Sequence, residues 1–103
     1  LYNEAFVDVE VFETPNGIIA LREKNFVIYP NPFDNTIICV SSSDLKGGKI
    51  ELFTYSGQKV TEKKVSSSLN QVVLNTEGLK HGVYILSITG INSSENKTFK
   101  IVK

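Results

Sequence analysis

Apolar and polar residues alternate along most of this chain in short runs, divided by polar stretches that hold most of its glycine and proline. A period of two is the mark of half-buried β-strands, because successive side chains point to opposite faces. Ala5–Phe12 is the first such run, with Val7, Val9 and Val11 interleaved with Asp8 and Glu10. Thr14-Pro15-Asn16-Gly17 predicts a β-turn with proline at its second position, and Ile18–Leu21 a short return strand. Arg22-Glu23-Lys24-Asn25 reads as a linker or exposed turn, so a boundary is placed there. Residues 1–24 are then either the end of a preceding region or a linker hairpin, and residues 25–103 are one domain.

Beyond that boundary the pattern predicts strands over Phe26–Tyr29, Thr36–Val40, Lys49–Tyr55, Gln58–Val65, Gln71–Leu74, Val83–Thr89 and Lys97–Lys103. Pro30-Asn31-Pro32 ends the first, since each proline removes a backbone donor from the ladder. Ser56-Gly57 predicts a two-residue hairpin connection. Lys59, Lys63 and Lys64 make the following strand polar, as suits a solvated face or a protected edge. In Lys49–Tyr55 both Leu52 and Phe53 are apolar, so its inward face is ambiguous. The last strand is unambiguous: Phe99 and Ile101 share one face, Lys100 and Val102 the other. Gly82 lies two residues before Tyr84, the spacing of a tyrosine corner, in which a phenol closes the turn into a central strand. Leu79 is placed beneath that turn. No stretch carries a sustained helical period. Short strands at regular spacing, with turn signals between them, predict an all-β antiparallel sandwich with Greek-key connections.

Composition narrows what such a domain does. Lys plus Arg and Asp plus Glu are both 11 in 103 residues, giving a net charge near zero. A nucleic-acid binder working by electrostatics would carry a basic excess, so no nucleic-acid partner is expected. The single cysteine, Cys39, lies in the apolar run Ile37–Val40 and reads as a small buried hydrophobe. Leu86 stands where an immunoglobulin disulfide would place its second cysteine. The lone histidine, His81, reads as an exposed turn residue. Asp34, Asp44, Glu51, Glu62, Glu77 and Glu95 are dispersed along the chain. No catalytic, cofactor-binding or metal-ligating set is therefore expected, and the chain is read as no enzyme. The start, Leu1-Tyr2-Asn3-Glu4-Ala5, reads as part of a longer polypeptide.

Four motifs in order carry a resemblance. They are Tyr29-Pro30-Asn31-Pro32-Phe33, Ile50–Val60 around Ser56-Gly57, Leu79–Leu86 around Gly82 and Tyr84, and Lys100-Ile101-Val102-Lys103. Together they resemble the C-terminal sorting domain of type IX secretion cargo. The resemblance covers about residues 26–103 and implies an immunoglobulin-like sandwich of about seven strands at the end of a Bacteroidetes exported protein. It implies a non-catalytic address, read by the type IX translocon and an outer-membrane shuttle protein. It further implies cleavage by a sortase-like cysteine peptidase and attachment of the upstream cargo at the cell surface, after transit through the periplasm. Carried onto this chain, the motif positions are Pro30, Asn31, Pro32, Gly57, Gly82, Tyr84, Lys100 and Lys103. A terminal strand suits recognition by strand addition, so Lys97–Lys103 is the expected read element. Residues 5–12 could pair within the domain, with a preceding one, or with a second copy as a swapped dimer. The alternative reading is a carbohydrate-binding or adhesion module, for which Tyr2, Tyr29 and Tyr55 are the candidate aromatics.

Overall fold

The computed structural model describes residues 10–13, 17–23, 26–89 and 96–103. They form nine antiparallel strands: β1 (Glu10–Glu13), β2 (Ile19–Glu23), β3 (Phe26–Tyr29), β4 (Thr36–Ser41), β5 (Lys49–Thr54), β6 (Lys59–Lys64), β7 (Gln71–Asn75), β8 (Val83–Thr89) and β9 (Asn96–Val102). The strands make two sheets, ordered β1-β2-β3-β4-β7 and β6-β5-β8-β9. The chain crosses between sheets after β4, β6 and β7, so β4 pairs with β7 and β5 with β8. These are Greek-key connections between two packed sheets.

The alternation read from the sequence sets the inner faces. Phe26, Ile28, Ile37, Cys39, Val72 and Leu74 project from one sheet. Ile50, Leu52, Leu86, Ile88, Phe99 and Ile101 meet them from the other. Each such side chain contributes about 1.5–3 kcal/mol when fully buried. Phe26 and Phe99 join the sheets edge to face, with ring centroids 6.4 Å apart. The ambiguity at Leu52 and Phe53 resolves inward for Leu52, which is fully buried, while Phe53 lies half-buried on the outer face.

Two local expectations need correction. β2 runs on through Arg22 and Glu23, residues expected in a linker, because both pair with β3. Arg22 also spreads its guanidinium over the Phe12 ring, 4.1 Å from its centroid. The Ser56-Gly57 connection is longer than two residues: Thr54 N–H donates to the Gln58 carbonyl and Gly57 N–H to the Thr54 carbonyl. A register shift at Leu52/Phe53 accommodates this wider turn. Most of the run Ala5–Phe12 lies outside the described residues; β1 begins at Glu10.

The first hairpin belongs to the five-stranded sheet, beside β3, β4 and β7. Ala20 and Leu21 of β2 are buried, and Leu21 sits opposite Ile28. β9 lies at the outer side of the four-stranded sheet, paired with β8 from Val83↔Val102 to Thr89↔Asn96.

Candidate recognition site at the end of the last strand

The central strand β8 owes its entry geometry to the corner before it. Gly82 has φ 153°, a backbone conformation that L side chains rarely adopt. The Tyr84 hydroxyl donates to the Lys80 carbonyl at 2.6 Å, closing the turn as the glycine–tyrosine spacing predicts. Gly82 then exchanges two backbone bonds with Lys103: Lys103 N–H to the Gly82 carbonyl at 2.9 Å, and Gly82 N–H to the Lys103 carbonyl at 3.2 Å. The corner thus extends the β8–β9 ladder to the end of the sequence.

The connector after β3 reaches the same place. The Asn31 side-chain Oδ1 accepts the Val102 N–H at 3.0 Å, although the two residues are 71 positions apart. Phe33 N–H donates to the Val102 carbonyl at 2.8 Å. The buried Phe33 ring packs edge to face on Tyr84, 5.6 Å between centroids. Asn31 N–H is also engaged, donating to the Ile19 carbonyl at 2.9 Å. Both the Tyr29–Pro30 and Asn31–Pro32 peptide bonds are cis.

Lys103 completes the clasp. Its side chain is buried, and Nζ donates to the Thr76 carbonyl at 2.9 Å. Thr76 is itself held by Asn35 through its N–H (2.8 Å) and by the Asp34 carbonyl through its hydroxyl (2.7 Å). A buried ammonium demands such a partner, because losing water without one is costly.

Pro30, Asn31, Pro32, Gly82, Tyr84 and Lys103 are therefore brought together around the last two residues. Gly57 and Lys100 are not in that cluster. Gly57, at φ 105°, shapes the β5–β6 turn. That turn presents Tyr55, and Lys100 Nζ lies 5.5 Å from the Tyr55 ring centroid on the outer face of β9. The turn and the corner border one open hollow of about 380 Å³, lined by Thr54, Gln58, Lys59, Gly78, Lys80 and Tyr84 among others. Sequence reasoning missed Thr76. A threonine in Asn75-Thr76-Glu77-Gly78 reads as turn, and nothing local marks it as the anchor of a residue 27 positions away.

The remaining chemistry is structural. Burial pushes the Cys39 thiol up to about 12, far from thiolate reactivity. His81 is exposed in its turn. Asp44 organises the β4–β5 loop by accepting Lys46 N–H, Leu69 N–H and the Ser68 hydroxyl. The Ser68 hydrogen bond is the main cause of its lowered carboxyl pKa. Among the described residues, no group of three His, Cys, Asp or Glu side chains could hold a metal ion. Tyr29 and Tyr55 do not share a platform: Tyr29 alternates outward from the five-stranded sheet, while Tyr55 caps a turn of the other.

Fold and site together define a β-sandwich in which the connector after β3, the corner before β8 and Thr76 secure the end of one edge strand. A family model for the secretion system C-terminal sorting domain matches residues 27–103, and the chain belongs to that family. No curated protein and no solved structure matches it. The family is a sorting signal of type IX secretion and in general non-catalytic. Membership implies export out of the cell and interaction with the type IX machinery.

Proposed function

We propose that β9, held in place by the clasp, is the element that the type IX translocon and its outer-membrane shuttle protein read. One observation carries this reading: residues as far as 71 positions apart converge on Val102 and Lys103. A signal of this kind has to present one strand in one register, and the clasp supplies that. In this reading Pro30, Asn31, Pro32, Gly82, Tyr84 and Lys103 act through β9, by holding it. Lys100, exposed beside Tyr55, is the contact residue, and Gly57 acts by shaping the turn that places Tyr55. The domain is residues 25–103, with the β1–β2 hairpin as a linker element that also extends its sheet. A sortase-like cysteine peptidase then cleaves upstream and attaches the cargo at the cell surface.

The test is export. The 103-residue chain is fused behind a periplasmic reporter in a type IX-competent cell. Deleting Thr98–Lys103 is expected to leave the reporter in the periplasm. Lys100→Glu, which keeps the fold, is expected to reduce export as well. Undiminished export of the deletion would sink the reading.

A further inference from the structure

The outer edge of β9 is closed at one end and open in the middle. In an antiparallel ladder, paired residues alternate between exchanging both backbone bonds and exchanging none. Gly82 and Lys103 exchange both. Counting back along the register, Ile101, Phe99 and Lys97 bond to β8, while Val102, Lys100, Thr98 and Asn96 turn their N–H and C=O groups outward. Val102 is taken on both sides, its N–H by Asn31 and its C=O by Phe33. The capping segment has no backbone donor to spare. Pro30 and Pro32 have no N–H, Asn31 N–H is bonded to Ile19, and Phe33 N–H is bonded to Val102. The sheet therefore cannot grow across that end. Thr98 and Lys100 have no such cover among the described residues.

Charge favours one kind of occupant. Lys97–Lys103 carries three lysines and no acidic side chain. Lys103 is withdrawn into the clasp, while Lys100 is exposed on the outer face of β9. A side chain opposite Lys100 on an added strand would stand beside its ammonium, where an acid is favoured and a base is not.

We infer that Pro30-Asn31-Pro32-Phe33 is an edge cap, and that the edge it leaves open, centred on Thr98 and Lys100, accepts a short extended peptide segment with an acidic residue opposite Lys100. This deepens the reading of β9 as the recognised strand, and rests on it. Three features follow. Pairing is short, because Val102 is unavailable. It is therefore weak and readily reversed, as suits a signal that is handed on. And Asn31 restrains recognition instead of contributing a contact to it.

The last feature gives the test its sign. The isotope-labelled 103-residue chain is titrated with the capped peptide Thr-Val-Glu-Val-Thr, with Thr-Val-Lys-Val-Thr and a backbone N-methylated Glu peptide as controls, and amide shifts are followed by NMR. The Glu peptide is expected to shift Thr98 and Lys100 and to leave β6 unmoved; the N-methylated peptide is expected to shift neither. Thr98→Pro removes one outward donor without touching the β8 ladder. It should weaken binding about three- to tenfold, the worth of one hydrogen bond. Asn31→Ala should strengthen it by at most a similar factor, by freeing the Val102 N–H while Phe33 keeps the Val102 carbonyl. No shift at Thr98 and Lys100 with millimolar Glu peptide, equal binding of the N-methylated peptide, no preference for Glu over Lys, or weaker binding by Asn31→Ala would each overturn the inference. Export separates the two levels. A reporter that tolerates loss of Thr98–Lys103 defeats the underlying reading, whereas one that needs this strand yet tolerates Thr98→Pro defeats only the edge inference.

Discussion

β6 and β9 flank the same four-stranded sheet, and they resist unwanted pairing by different means. β6 is guarded by charge at both ends. Lys59, Lys63 and Lys64 line it, and Glu62 and Glu51 answer them with ion pairs such as Lys59–Glu62 at 2.6 Å. Such surface pairs add little stability; their effect is to make the edge costly to bury. β9 is guarded at one end only, by a capping segment, and is anchored from within by Phe99 and Ile101. The difference accords with the proposal that recognition belongs to β9. The charges on β6 make that edge costly to bury, whereas the cap on β9 blocks pairing only at its end.

Truncation in the core should separate the two strands most. Phe99→Ala, at a fully buried side chain that also contacts Phe26, is expected to cost about 3–5 kcal/mol. Val60→Ala on the half-buried side of β6 should cost about 1 kcal/mol. Urea denaturation of both variants checks the contrast, and equal losses would place β9 no deeper in the fold than β6.

The charges on β6 should matter least. The hydrogen bond from Lys59 is the main cause of the lowered Glu62 carboxyl pKa, and the bond to Glu62 of the raised Lys59 ammonium. Whatever stability Glu62 lends is present above the ordinary carboxylate range and lost as pH falls through its lowered value. Whatever Lys59 lends is present below 10.5 and lost as pH rises beyond it. Both groups are solvated, so Lys59→Ala is expected to leave the melting temperature unchanged at physiological salt. A clear drop would show that this edge is held by its ion pairs.

Much of this organisation is legible locally. Period-2 alternation places Phe99 and Ile101 inward and Lys100 outward, and the Gly82–Tyr84 spacing predicts the closed corner. Periodicity reports a strand's faces but not its neighbours. It is blind to β2 joining β3 through Arg22 and Glu23, since those charged residues are tolerated on a strand only once their partners are known. It is equally blind to the clasp. Pro30-Asn31-Pro32 reads as a strand terminator, which it is, but the strand whose edge it closes lies at the far end of the chain. Lys103 stands in the sequence only as a motif position on the last strand, and the Thr76 carbonyl explains its burial.

Residue-resolved amide hydrogen exchange on the whole chain and on Asn31→Ala tests the clasp most directly. In the parent, Lys103, Val102 and Ile101 are predicted to be protected while Thr98 and Lys100 exchange fast. In Asn31→Ala, Val102 alone is predicted to join the fast group. Slow exchange at Thr98 and Lys100, or a Val102 amide indifferent to the loss of Asn31, would contradict the account of a capped and partly open final strand.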